Sequence, residues 1–274
     1  MISPPVGHGL LELSHVAGKT EVTRCQAHSP LKLLTPRGRH EAAWVYTSTF
    51  GGGMVAGDQT ELQVRMKPQA RCVLTTQASS KIYRDPQQRG CRQLVEVDAE
   101  SESLLVVAPD YVTCFAEASF RQQQDFRLDP QASLVVVDWL TSGRRSFGES
   151  WDFSRYQSGL NVHVDGQHVL SDTLLLDNRD GPIDGPFRLG RFHCIGLMLL
   201  VGPQVEPAAR QLCEQVTARP VEPGAELIES VSEQSWGAVY RIAGISTEPV
   251  AARLRERLSF LKPLLGDEPW ARKW

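Results

Sequence analysis

Residues able to do chemistry are spread along this chain and are not gathered into one catalytic signature. The densest run is Ser79, Ser80, Lys81, Ile82, Tyr83 and Arg84, which sets hydroxyl, ammonium, phenol and guanidinium groups side by side. Such a set is raw material for an activated nucleophile. Joined by a carboxylate it outlines one alternative, a small-molecule enzyme using Lys81, Tyr83 and Asp138. Nothing supplies an oxyanion site or a companion His at a recognisable spacing. A binding surface is the better expectation, with Lys81, Tyr83 and Arg84 as partner contacts.

The stretch Gly51, Gly52, Gly53, Met54, Val55, Ala56, Gly57, Asp58 invites a phosphate-binding reading. A P-loop ends in Gly-Lys-Ser/Thr, whereas here Gly57 precedes Asp58 and Gln59. A dinucleotide fingerprint needs a helix after the glycines, and residues 60–66 alternate like a strand. The stretch therefore predicts a tight loop needing left-handed backbone or close approach of two strands.

Metal chemistry is no better signalled. The seven His (8, 15, 28, 40, 163, 168, 193) form no His-Glu-x-x-His, and the six Cys (25, 72, 91, 114, 194, 213) no Cys-x-x-Cys. No tightly bound metal or other cofactor is expected. Transient passage of a hydrated cation needs only spaced oxygen ligands, and for it Asp58, Glu61, Asp138 and Glu149 are candidates. Asp138 draws most interest. It ends the apolar run Leu134, Val135, Val136, Val137 just before Trp139; the plain reading is a strand-end residue facing solvent, the alternative a carboxylate entering a sheet interior, where it needs a partner or water.

The elements that must position these groups announce themselves by repetition. Turns are read at Lys67, Asp98 and Asp129, a constant spacing of 31 residues. Alternating segments precede each turn, placing Val64, Val95 and Phe126 in one register and Met66, Val97 and Leu128 in the next. Short apolar runs follow each turn, such as Cys72, Val73, Leu74. Strand–turn–strand units of fixed period bury their apolar faces by stacking on neighbours. The fold class expected is mainly β, a β-helix-like or solenoid-like stacked scaffold with a repeat core over about residues 60–140. Sequence divergence at 79–84, 109–111 and 141–145 collects on one edge, the usual place for binding.

Outside the repeats, strands are expected within 10–50, at 159–164 and 167–176 around the hairpin signal Asp165, Gly166, and at 191–201 and 238–245. Residues 177–186 read as a loop. Two helices are expected, at 206–218 and 247–262, the second capped by Thr247 with Val250, Leu254, Leu258 and Leu261 on one stripe. Packing on the β-body is the plain reading of that helix; partner docking through Arg253 and Arg257 is the alternative.

Composition sets limits. With 41% hydrophobic and 22% charged residues, 274 positions suffice for a large core, read as one domain over 1–274. A formal charge of −3 argues against a general nucleic-acid binder. No apolar run approaches the roughly 18 residues of a membrane span. The start Met1, Ile2, Ser3, Pro4, Pro5 lacks the regions of a signal peptide, and the scattered cysteines suit reduced thiols, so a cytoplasmic location is expected.

At these residues the chain resembles a known family, the urease accessory proteins called UreD, or UreH in some organisms. The likeness rests on Gly52, Gly53, Met54, Val55, Ala56, Gly57, Asp58, then Pro68, Gln69, Ala70, Arg71, then the run from Leu74, Thr75, Thr76 to Lys81, Tyr83, Arg84. A third match runs from Pro130, Gln131, Ala132 through Asp138, Trp139, Gly143, Arg144 to Gly148, Glu149. The matched zone covers roughly residues 40–176. Met54 and Ala56 depart from the commoner aliphatic and glycine, and Asp110 stands where many members retain a different acid. The resemblance implies a non-enzymatic chaperone of nickel insertion into apo-urease. It implies as partners a helical accessory protein of the UreF type and a nickel-carrying GTPase of the UreG type, with Ni²⁺ passing through a polar internal tunnel. A same-fold binding module serving another partner is the competing reading.

Overall fold

The computed structural model describes residues 7–38 and 40–271, and the reading of the N-terminus lies outside the described residues. Strands come first: β1 (His8–Val16), β2 (Lys19–Ala27), β3 (Leu31–Leu34), β4 (Ala43–Thr49), β5 (Gln59–Met66), β6 (Arg71–Thr76) and β7 (Ser80–Ile82). The middle of the chain gives β8 (Cys91–Ala99), β9 (Leu104–Val107), β10 (Val112–Cys114), β11 (Ser119–Leu128), β12 (Ser133–Thr141), β13 (Arg155–Val164) and β14 (Gln167–Asp177). Beyond them lie β15 (Cys194–Val201), α1 (Glu206–Thr217), β16 (Leu227–Gln234), β17 (Gly237–Gly244), α2 (Thr247–Leu258) and a final turn of helix, α3 (Lys262–Leu265).

Two sheets face each other. One runs β14-β13-β11-β8-β5-β1-β2, the other β16-β17-β15-β12-β9-β6-β4-β3, with β7 and β10 joined to its side through β12. The pairs β5–β8, β8–β11 and β11–β13 are parallel, as are β4–β6, β6–β9 and β9–β12. Each rung of the stack is thus a strand in one sheet, a four-residue turn, and a strand in the other. Antiparallel strands close both stacks, β2 and β14 in the first sheet, β3 and the β15–β17–β16 meander in the second.

The expected solenoid-like β stack with two C-terminal helices is what forms. Its period, however, is corrected. Val64 pairs with Val97, and Val97 with Phe126, so the separations are 33 and 29, not a constant 31. The middle turn begins at Glu100, whose N–H donates to the Met66 carbonyl, two residues later than the sequence reading. The cause is loop length: residues 83–90 join β7 to β8, whereas 115–118 suffice between β10 and β11. A slide of two along a strand preserves which face each side chain takes. Val64, Val95, Val97 and Phe126 therefore still share one buried interior cluster.

The second face of the β12 sheet packs on the helices. Val73, Val106, Val135, Val137 and Trp139 meet Ala209, Leu212 and Val216 of α1 and Val250, Leu254 and Leu258 of α2. Each such fully buried aliphatic side chain contributes about 1.5–3 kcal/mol. The α2 cap falls on Ser246, one residue before the expected Thr247, and its hydroxyl makes no capping bond. Strand β16, mostly polar without regular alternation and exposed along half of its length, carried no recognisable strand signal in the sequence. Among the described residues, no helix is long and apolar enough to cross a membrane.

Candidate functional site

The two segments that carry the family resemblance meet in space. Met54 forms a parallel bridge with Ile82; the Met54 N–H donates to the Lys81 carbonyl at 2.8 Å and the Tyr83 N–H to the Met54 carbonyl at 3.0 Å. A Cβ on Gly53 would sit 2.6 Å from the Lys81 carbonyl oxygen, so the glycine is there for close approach. The expected tight loop is what the glycines make.

The four carboxylates singled out from sequence have different fates. Asp58 accepts a hydrogen bond from the Val55 N–H at 2.9 Å and braces its own turn. Glu61 faces outward, 3.8 Å from His8 Nε2. Glu149 is bound by Arg144 and by the Ala116 N–H, and the Arg144 guanidinium holds it below the usual carboxylate range. Of the four, Asp138 is the one that lines the space between the sheets, while Glu149, though buried, is taken up by Arg144; the structure does not bring the four together.

Asp138 follows Leu134 and Val136 on the inward face of β12. Opposite it, Gln122 of β11 donates from Nε2 to both carboxylate oxygens at 2.8 Å. Ser158 donates its hydroxyl to Oδ2, and Tyr156 Oη stands 3.5 Å from Oδ1. All three partners are neutral. Burial pushes the Asp138 carboxyl up, against the pull of the Ser158, Gln122 and Tyr156 hydrogen bonds. A carboxylate held this way keeps its attraction for a cation unspent.

Gln122 belongs to a feature the sequence reading missed. Thr60 pairs with Gln93, Gln93 with Gln122, and Gln122 with Ser158. Paired polar side chains thus form a row across β5, β8, β11 and β13 between apolar clusters, with Gln124 of β11 buried beside it. The row separates the cluster around Val64, Val97 and Phe126 from a second cluster containing Cys91, Phe120, Trp151, Phe153 and Tyr156. With the correct register of 33 and 29, the recurrence of polar residues at an inward position is visible in the sequence. At a constant 31, Gln93 falls opposite Leu62 and Gln122 opposite Cys91, and the row is lost from view.

Two cavities border this row. The first, about 190 Å³, is lined by Thr60, Gln93, Gln122, Gln124 and Asp138 and reaches exposed Gly52, Gln77 and Lys81. The second, about 460 Å³, is lined by Asp138, Tyr156, Ser158 and Asp172 and reaches exposed Ser230 and Arg241. Asp138 and Trp139 line both. This explains how Asp138 can be enclosed by protein and still border open space. At the far side Arg241 is ion-paired with Asp172. Of the alternative trio, Tyr83 gives its hydroxyl to the Gly51 carbonyl at 3.2 Å and takes no part with Asp138.

The expected partner contacts also divide. Lys81 and Arg84 lie at the surface, Arg84 4.0 Å from Glu149. Arg257 is buried and donates to Glu229 at 2.9 Å, Glu229 in turn takes the Tyr240 hydroxyl at 2.7 Å, and Arg253 pairs with the same carboxylate. These two arginines fasten α2 to β16 and β17. Among the described residues, no group of three or more His, Cys, Asp or Glu is arranged to hold a metal ion.

Stacked rungs, helices on one outer face and a polar row facing the Asp138 carboxylate define a β-scaffold with a polar band across an apolar interior. The family model described as UreD urease accessory protein matches residues 6–274. This chain belongs to that family. It is 44% identical over 269 residues to a urease accessory protein UreD of Sorangium cellulosum (strain So ce56), covering 98% of this chain and 84% of the relative. A urease accessory protein UreD of Anaeromyxobacter sp. (strain Fw109-5) is 38% identical, covering 97% and 89% respectively. A urease accessory protein D of Arabidopsis thaliana is 35% identical, covering 96% and 99%.

Proposed function

We propose that this protein serves urease maturation as a non-catalytic scaffold that hands Ni²⁺ toward apo-urease through its interior. On this reading it bridges apo-urease to a helical accessory protein of the UreF type and a nickel-carrying GTPase of the UreG type, in the cytoplasm. The observation that carries the proposal is Asp138, a half-buried, inward-facing carboxylate held by neutral donors where two cavities share a wall. Ni²⁺ sits high in the affinity order for nitrogen and sulfur ligands, so a carrier that must release it does better with oxygen and water. Thr60, Gln93, Gln122 and Ser158 offer oxygens of that weak kind. Surface Lys81 and Arg84 are proposed as partner contacts.

The test is Asp138→Asn, which keeps the shape and removes the charge. Co-purification with urease and the accessory partners should persist while nickel content of urease and urease activity fall by about tenfold or more, one order of magnitude being about 1.4 kcal/mol of lost attraction. Full nickel loading by the variant would remove Asp138 from the path. Failure of the wild-type chain to co-purify with urease would remove the scaffold reading itself.

A further inference from the structure

The hairpin between β13 and β14 carries an arrangement that the nickel-passage reading does not use. Asp165 and Gly166 both take left-handed backbone, with φ of 50° and 72°, the two-residue turn that matches strand twist. Val164 pairs with Gln167, and His163 with His168 directly behind them. In such a hairpin the pair behind the closing one is the non-hydrogen-bonded kind, whose side chains approach most closely. The two imidazole rings lie with centroids 4.8 Å apart and planes inclined by 39°. His168 is exposed and His163 half-buried, and His163 sits between Val162 and Val164, which pack on the interior.

The ring separation has a chemical meaning. A first-row divalent cation bonds imidazole nitrogen at about 2.0–2.1 Å, which puts each ring centroid about 3.2 Å from the metal. Two rings on adjacent positions of an octahedron or tetrahedron then have centroids about 4.5–5.2 Å apart, and 4.8 Å falls inside that interval. We propose that His163 and His168 form a bidentate site for a divalent transition-metal cation of the imidazole-preferring class, with water completing the coordination. Asp98, Glu100 and Asp129 line the same shallow depression as His163 and favour a cation there. Arg127, paired across the ladder with His163, lines the same depression, and its charge is tied to Asp98 at 3.2 Å and Glu96 at 3.3 Å. The site is on the outside of the stack and stands independently of Asp138.

Calorimetric titration of the full chain with NiCl₂ tests it, comparing wild type with His163→Asn, His168→Asn and the double variant. One binding event should weaken by about 10²-fold in either single variant, because the second imidazole no longer binds intramolecularly. The double variant should weaken it little further. Nickel should also broaden the ring-proton NMR signals of both histidines together at substoichiometric metal, and Asp138→Asn should leave that broadening unchanged. An isotherm for the double variant that superimposes on wild type overturns the site. So does a result in which each single variant removes half of the signal and leaves the other half at full affinity.

Discussion

At the scale of single residues, Asp138 is the group whose chemistry differs most from its ordinary behaviour. Its carboxyl is pushed up by burial, so the folded protein holds a proton there more tightly than the unfolded chain does. The sign follows directly. Stability is fully present below the unfolded carboxylate value of about 3.9 and falls as pH rises and the charge is forced into the interior. Asp138→Asn removes that penalty. Thermal melts should therefore give the variant a higher Tm than wild type at pH 7, with the gap closing as pH approaches 4. A lower Tm for the variant at pH 7 would mean that the Gln122 and Ser158 hydrogen bonds more than offset the cost of burial. The contrasting residue is Asp177, whose carboxyl Arg179 holds down at about 2; its contribution is full above the unfolded carboxylate value of about 3.9 and is lost progressively as pH falls from there through about 2.

At the scale of elements, α2 shows how a surface-looking helix becomes part of the body. Val250, Leu254 and Leu258 are buried against β15 and β17, and Arg257 reaches Glu229 beneath it. Removing Arg257 leaves Glu229 with Arg253 and the Tyr240 hydroxyl, so the cost falls below that of a buried charge left wholly unmatched and is on the order of 1–3 kcal/mol. Arg257→Met should lower stability by that amount in a denaturant melt, whereas Arg255→Met, on the same helix but exposed, should change it by less than about 0.5 kcal/mol. Equal effects would show that the Glu229 network carries no special weight. The sequence made this helix, its apolar stripe, the β13–β14 hairpin and the strand–turn–strand rhythm legible, because each is governed by local periodicity or turn chemistry. It did not reveal Arg257 as an internal fastener. By helical spacing Arg257 falls on the apolar stripe itself, seven residues after Val250, yet an arginine reads as solvated until its carboxylate, on β16 28 residues away, is folded against it. The polar row was hidden for a different reason: four residues from Tyr83–Gly90 loop length shift the register, and no local pattern reports a loop's exact take-off. Asp138 itself was visible as an oddity at the end of an apolar run; its neutral partners Gln122 and Ser158 were not.

At the scale of the whole molecule, the rungs make one cooperative interior. Phe126 touches neighbours from both sheets and is fully buried between strands contributed by residues on either side of it. Phe126→Ala should cost about 3–5 kcal/mol, and the loss should appear as a single lowered transition and not as melting of one segment. Two separated transitions in calorimetry would show that the stack is built of independent parts.

The row of Thr60, Gln93, Gln122 and Ser158 crosses strands, and neighbouring strands lie about 4.8 Å apart. Its reach is thus metered by strand count, about 14 Å for three steps, and not by side-chain size. A relative that gained or lost one rung would alter that span by a whole increment while leaving every local contact alike. Such a molecule keeps the chemistry of its lining and resets only the distance between its two ends.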